Sequence, residues 1–346
     1  VPPKLYGGTE RVVSFLTEEL VRQGHEVTLF ASGDSETSAR LVACVPRSLR
    51  LDERCIDQLA HHVRMIEEVY ARAESFDVIH FHIDYLHFPV SRLRGARHLT
   101  TLHGRLDLPD LVPLYQTFRD MPVVSISDAQ RAPLPFANWQ RTIYHGLPRD
   151  LLSFHAEPGR YLAFLGRISP EKRVDRAIEI AQRVGLPLKI AAKIDKSDRP
   201  YFEQVKPLFD HPLIEFVGEI NESQKNDFLG GASALLFPID WPEPFGLVMV
   251  EAIACGTPVV AFRNGSVGEV MRQGVSGFVV DNLDEAVRAT EQAVMLSRRR
   301  CREYFEQRFT AERMASDYLR AYAALDLRSG RDAFLGSVDE SAAEAS

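Results

Sequence analysis

Apolar and polar positions along the chain follow two alternating rhythms. Val12, Val13, Leu16, Leu20 and Val21 recur at helical spacing, and Gly24 marks the stop of that helix. Val27-Thr-Leu-Phe-Ala31 follows directly, short, apolar and rich in strand-favouring residues, so a helix feeds a strand as in half of a βαβ unit. The same alternation predicts strands at 77–81, 98–102 and 122–126. Strands this continuously apolar point to a parallel sheet covered on both faces. A polar stretch punctuated by Gly146, Pro148, Pro158 and Gly159 then breaks the rhythm. Beyond it the pattern restarts with a strand at 161–165, a helix at 174–184, and strands at 188–192, 214–217, 234–238, 258–262 and 277–280.

The pattern predicts an α/β chain of two Rossmann-like, doubly wound lobes facing a central cleft. The lobes span 1–148 and 149–308. A terminal helix over 309–327, with Met314, Tyr318 and Tyr322 at helical spacing, is expected to pack back toward the first lobe. The Ser-, Ala- and Glu-rich segment 328–346 is expected to be a disordered tail. A length of 346 residues suits two domains, each with its own core.

With 45% hydrophobic and 26% charged residues the composition is that of a globular protein. A net charge of −7, with neither lobe broadly basic, argues against nucleic acid as a partner. Cys44, Cys55, Cys255 and Cys301 show no CxxC pair and no metal-ligand spacing with histidine, which fits reduced thiols in the cytoplasm. No apolar stretch approaches the roughly 18 residues that cross a bilayer, and no signal peptide precedes the first helix. Contact with the inner membrane face is thereby at most peripheral, through a local patch of Arg92, Arg94, Arg97 and Arg105. The excess of arginine over lysine is expected of a GC-rich bacterial genome.

Two such lobes serve many chemistries, so side chains must decide. In Pro242-Glu-Pro-Phe-Gly-Leu-Val-Met-Val-Glu-Ala-Ile-Ala-Cys-Gly-Thr-Pro258 a loop leads into a helix whose interior is apolar except for Glu251. A carboxylate there needs a donor or a cation. Glu243 precedes the same helix, where exposed amides and the positive dipole end suit an anionic ligand. In Gly166-Arg-Ile-Ser-Pro-Glu-Lys-Arg173, Arg167 and Lys172 occupy a strand-to-helix turn, the edge where α/β sheets bind ligands, and two cations there can neutralise a diphosphate. Gly7 and Gly8 open the first helix, and glycine permits close backbone approach. His103 ends a predicted first-lobe strand in Thr101-Leu-His-Gly104. His80, His82 and His87 cluster in sequence, but no matching carboxylate or cysteine set makes a metal site of them. Acceptor-side lining by His82 or Asp84 is the alternative.

Glu243 and Glu251, eight apart, resemble the E-x7-E element of retaining GT-B glycosyltransferases of glycosyltransferase family 4, the glycosyl transferases group 1. The resemblance implies that Glu243 contacts donor-sugar hydroxyls, that the amides of Phe245, Gly246 and Leu247 approach sugar and phosphate, and that Glu251 binds the nucleotide ribose. Arg167 and Lys172 match the family's G-R-x4-K element, which holds the leaving diphosphate. Tyr6-Gly-Gly-Thr-Glu10 is similar to its glycine loop, and His103 to a histidine near the donor sugar that contributes to catalysis. Ser125-Ile-Ser-Asp128, Tyr144-His-Gly146, Phe216-Val-Gly-Glu-Ile220 and Gly265-Ser-Val-Gly-Glu269 resemble family landmarks in order, with the base expected near Gly218 and Ile220. The family begins with a β-strand ahead of the glycine loop, whereas here Val1 already lies within the loop, so the sequence is expected to be truncated or numbered from an internal residue.

The resemblance implies a retaining hexosyltransferase that takes a nucleotide-diphosphate sugar, UDP- or GDP-linked, with no cofactor and no metal. The acceptor is a sugar, a lipid-linked molecule or a small molecule, and the loops over 32–60 and 104–120 that would contact it carry no readable code. Two other activities fit the scaffold: a sugar-nucleotide isomerase or phosphorylase, and a catalytically silent nucleotide-sugar-binding subunit.

Overall fold

The computed structural model describes residues 1–3 and 7–325, so Tyr6 of the glycine loop and the 328–346 tail lie outside the described residues. The first lobe holds β1 (Thr28–Ser32), β2 (Arg40–Val45), β3 (Ile79–Phe81), β4 (His98–Thr101), β5 (Val123–Ser125) and β6 (Trp139–Thr142). The second holds β7 (Leu162–Arg167), β8 (Leu188–Lys193), β9 (Ile214–Gly218), β10 (Ala234–Phe237), β11 (Val259–Phe262) and β12 (Gly277–Val280). Every strand pair among the described residues is parallel. The architecture is α/β with two Rossmann-like lobes.

Among the described residues, ten of the twelve strands follow from the apolar runs; β2 and β6 do not. β6 is Trp-Gln-Arg-Thr, a partly exposed edge with little apolar signal. β2 is apolar but fully buries none of its residues, so its pattern lacks the contrast that marks a core strand. The first-lobe strands fall into two sheets, β1-β2 and β3-β4-β5-β6, where the alternation suggested one.

In the second lobe the strand order is β12-β11-β10-β7-β8-β9. The chain winds outward from β7 in one direction through β8 and β9, then in the other through β10 to β12. Adjacent β7 and β10 therefore form the switch point where open α/β sheets leave a crevice. Helices cover both faces, as the apolar strands require. Val174, Ala177, Ile178 and Ala181 of the helix Val174–Val184 pack on one face with Ala286 and Ala289. Met249, Val250 and Ile253 of the helix Leu247–Ala254 pack on the other with Tyr304, Phe305 and Phe309.

A helix over 311–325 returns to the first lobe. Its Met314, Ala315, Tyr318 and Ala321 share one core with Val12, Leu16 and Leu20 of the helix Gly8–Arg22 and with Leu99, Val124 and Ile143. The two chain crossings between lobes are stitched together: Leu147 donates to the Phe309 carbonyl and Ala311 donates to the Leu147 carbonyl, both at 2.8 Å. Gly146 permits this approach, because a Cβ there would lie 2.2 Å from the Thr310 carbonyl oxygen.

Candidate functional site

Parallel strands place their following loops at one edge, so the switch point gathers two loops that are distant in sequence. β7 ends in Arg167, and Lys172 lies in the turn before the helix Val174–Val184. β10 leads through a loop carrying Glu243 into the helix Leu247–Ala254, which carries Glu251. Gly246 adopts a positive φ of 77° at the helix entrance, and a Cβ there would meet Met249 Cε at 2.7 Å. Gly265 adopts φ 53° beneath the same loop, with the space for a Cβ occupied by the Glu243 backbone at 2.3 Å.

A cleft of about 490 Å³ opens at this edge between the lobes. Arg167, Lys172, Glu243 and Glu251 line it, as do Phe245, Gly246, Leu247 and Ile220 from the second lobe and Gly7, Gly8 and His103 from the first. Gly218, with φ 78°, is not among the lining residues, although its neighbours Glu219 and Ile220 are. The helices Gly8–Arg22 and Leu247–Ala254 start against each other, a Cβ on Gly8 falling 3.4 Å from Leu247 Cδ1. Two helix N-termini thus open on one cavity, an arrangement suited to anions.

Lys172 Nζ is ion-paired with Glu243 Oε2, which also accepts from Trp241 Nε1 at 3.1 Å. The ammonium sits over the rings of Phe237 and Trp241, 5.6 and 5.0 Å from their centroids. Arg167 faces three carboxylates, Asp198 at 3.3 Å, Glu171 at 3.5 Å and Asp195 at 3.6 Å. These separations are longer than good charge-assisted hydrogen bonds. Arg167 Nε and Asp198 Oδ2 are buried without a hydrogen-bond partner. Burial holds the Asp198 carboxyl above its usual pKa, opposed by Arg167.

Glu251 is 4% exposed, and its Oε1 accepts from Lys225 Nζ at 2.5 Å. Lys225 is 3.4 Å from Glu222, which is paired in turn with Arg11 of the first lobe. The sequence called for a hydrogen-bond donor or a cation at Glu251, and the structure supplies the cation Lys225. Lys225 and Glu222 share the helix Glu222–Gly230, whose Asn221-Glu-Ser-Gln224 start forms a capping box readable from the sequence. The three acids around Arg167 carried no such signal.

His103 follows β4, and its Nε2 is 2.9 Å from His82 Nδ1. The His145 ring stacks on it, centroids 5.3 Å apart. Burial lowers the His103 pKa to about 4 and that of His145 well below its ordinary value. His87 is used elsewhere, between Ser91 and Thr100. Neither His82 nor Asp84 is among the residues lining the cleft. Of the surface arginines, Arg92 pairs with Asp120, Arg105 with Asp107, and Arg97 donates to the Asp77 and Tyr322 carbonyls. Among the described residues no helix is long and apolar enough to cross a membrane.

Comparison with known proteins bears on both lobes. A family model described as glycosyl transferases group 1 matches residues 153–308, and one described as glycosyltransferase family 4 matches residues 6–143. N-acetyl-alpha-D-glucosaminyl L-malate synthase of Bacillus anthracis is 26% identical over 371 aligned positions, covering 91% of this chain and 93% of that protein. D-inositol 3-phosphate glycosyltransferase of Geodermatophilus obscurus is 30% identical, covering 49% of this chain and 41% of that protein. An uncharacterized glycosyltransferase of Methanocaldococcus jannaschii, 27% identical over 60% of this chain, is matched over 62% of its own length. Among solved structures, AviGT4, a glycosyltransferase involved in avilamycin A biosynthesis, superposes with a TM-score of 0.73 at 24% identity, covering 94% of this chain and 92% of that one. Anabaena HepE in complex with UDP and glucose superposes with a TM-score of 0.71 at 16% identity, covering 92% and 96%. These identities carry the fold.

Proposed function

The chain belongs to the GT-B glycosyltransferases of family 4, glycosyl transferases group 1, and from that membership we propose that it moves a hexose from a nucleotide-diphosphate donor to an acceptor with retention of anomeric configuration. UDP- and GDP-sugars are the expected donors; a sugar, a lipid-linked molecule or a small molecule is the expected acceptor. The observation that carries this reading is the convergence of Arg167, Lys172, Glu243 and Glu251 on one cleft at the switch point of the second lobe.

In this reading Arg167 and Lys172 bind the diphosphate, with the amides of Gly7, Gly8, Phe245, Gly246 and Leu247 around it. Glu243 orients the sugar hydroxyls, His103 approaches the same sugar, and Glu251 holds the ribose through the carboxylate oxygen that Lys225 leaves free. Ile220, which lines the cleft, lies where the base edge is read, whereas Gly218 only shapes the turn that leads to it. The acceptor attacks on the face from which the nucleotide departs. Catalysis then consists of holding the reactants together and stabilising charge on the departing diphosphate. Two fixed cations and two helix N-termini supply that charge, so turnover is expected to persist in chelator.

The test is a screen of UDP-, GDP- and ADP-sugars by thermal shift, since a ligand bound to the folded state raises the melting temperature by mass action. With the donor so identified, an assay against candidate acceptors is expected to give acceptor-dependent release of nucleoside diphosphate, with an α-linked product from an α-linked donor. Epimer formed without acceptor would instead mark an isomerase, and binding without turnover a silent subunit.

A further inference from the structure

β3 and β4 run parallel with Phe81 opposite Thr100, so the residues just past their ends emerge side by side. His82 is the first residue past β3 and His103 the second past β4, with His82 Nδ1 and His103 Nε2 2.9 Å apart. A hydrogen bond between two imidazole nitrogens requires one proton in the gap, because two protons clash and two lone pairs repel. Burial keeps both rings neutral, and each neutral ring carries a single N–H. The tautomers of the two rings are therefore locked together: if His82 donates, His103 carries its own proton on Nδ1; if His103 donates, its Nδ1 is a bare acceptor.

His103 Nδ1 is buried and has no hydrogen-bond partner. It is closed off from the cleft, so the part of His103 that lines the cavity is the rest of the residue. His82 is held from behind. Its ring lies 4.1 Å from that of His80, whose Nδ1 and Nε2 sit 2.8 Å from the hydroxyls of Tyr322 and Thr101. Both nitrogens of His80 are thus committed, and Tyr322 belongs to the helix that returns from the second lobe.

We propose that His82 is a positioning residue for His103: it engages Nε2 of that ring and so holds the imidazole in the orientation in which it meets the donor sugar. The inference rests on the assignment of His103 to the donor sugar.

Two measurements separate the pairing from that assignment. In ¹⁵N-histidine-labelled protein without ligand, two-bond proton–nitrogen correlations read each ring's tautomer. The expected spectrum shows His82 and His103 in complementary tautomers, with the His103 pattern lost to rapid exchange in His82→Phe and kept in His82→Asn, whose amide occupies the place of Nδ1. His82 and His103 tautomer populations that are not complementary in the wild-type protein, or an unchanged His103 pattern in His82→Phe, overturn the pairing. The wild-type spectrum makes the test even if His82→Phe does not fold.

The second measurement is release of nucleoside diphosphate by slow hydrolysis of UDP-glucose or GDP-mannose, whichever gives the larger thermal shift. His82→Phe is expected to lower kcat about 10-fold, the size of one net hydrogen bond, with little change in KM. His82→Asn is expected to recover most of it. In a His103→Ala background His82→Phe should cost nothing further, as a coupled pair requires. Equal losses in both backgrounds overturn the proposal. Hydrolysis unchanged by His103→Ala overturns the sugar contact itself, while the spectra still judge the pairing.

Discussion

The Glu269 carboxylate of the second lobe accepts the backbone N–H of Asp128 in the first at 2.7 Å. Its other oxygen accepts the next N–H, from Ala129, also at 2.7 Å. A side chain from one lobe thus satisfies two amides at a helix start of the other, and the Tyr144 hydroxyl adds a contact at 3.2 Å. Charge-assisted bonds of this kind are each worth about 2 kcal/mol. Glu269→Ala is accordingly expected to destabilise the protein by about 2 kcal/mol or more, read as a lowered urea midpoint. A midpoint equal to wild type would mean that the lobes do not hold this contact in solution.

Arg167 and Lys172 differ in what they leave behind. Removing Lys172 strips Glu243 of its ion-pair partner, whereas removing Arg167 frees three acids that then repel an incoming diphosphate. Both Arg167→Ala and Lys172→Ala should lower turnover on the order of 100-fold. Arg167→Ala should also raise the donor KM more than Lys172→Ala does. Steady-state kinetics on the two variants check both points, and turnover within a few-fold of wild type for either would remove it from the diphosphate site.

Lys225 faces Glu251 where both side chains are nearly dry, 12% and 5% exposed. Deleting one partner of a buried pair leaves an uncompensated charge, which costs about 3–5 kcal/mol, whereas replacing both with apolar groups is often neutral. Lys225→Met should therefore destabilise strongly, and adding Glu251→Leu should restore much of the loss while abolishing donor binding. Urea denaturation and thermal shift with the donor read the two effects apart. Additive destabilisation in the double variant would break the pairing argument.

The fold was legible because its cause is local. Continuous apolar runs such as Ala234–Phe237 and Val259–Phe262 have one good use, a doubly covered parallel strand. β6, an edge strand with three polar residues in four, has no comparable signal. The lone acid of an apolar helix announced that Glu251 needs a hydrogen-bond donor or a cation, yet Lys225 stands 26 positions away on another helix. Which elements meet is decided by strand order, and no window of sequence contains that. The acids around Arg167 were hidden for the same reason: Asp195 and Asp198 follow β8, which only the sheet brings beside β7.

Gly265 ties backbone geometry to the site. Its φ of 53° is unfavourable for other residues, and a Cβ would penetrate the Glu243 backbone at 2.3 Å. Gly265→Ala must push away the loop that carries Glu243, while leaving every charged group of the cleft in the chain. It should thus impair donor binding as severely as Glu243→Ala and also lower stability, by about 1–3 kcal/mol for the strained conformation. Thermal shift with and without donor measures both, and a Gly265→Ala protein with wild-type donor response would refute this placement of the loop.

Stability should fall between pH 6.5 and 5, before most carboxylates protonate. His87 is wholly buried, its ring nitrogens 2.5 Å from the Ser91 hydroxyl and 2.8 Å from that of Thr100, and burial lowers its pKa to about 2. Burial likewise lowers His80 to about 3 and His103 to about 4. An unfolded histidine takes up a proton near pH 6.5. Below that pH the unfolded chain binds protons that these folded rings refuse, so unfolding gains on acidification. Their contribution is complete above pH 6.5 and drains away as the pH falls toward the folded values. Each such histidine costs about 2 kcal/mol at pH 5 relative to pH 7.5. Urea midpoints at the two pH values measure the loss. His87→Gln keeps polar atoms near Ser91 and Thr100 but does not titrate, so its midpoint should fall less over the same interval. Equal midpoints at pH 7.5 and 5 in the wild-type protein would show that these histidines are hydrated, and with them the strand ends that carry His82 and His103.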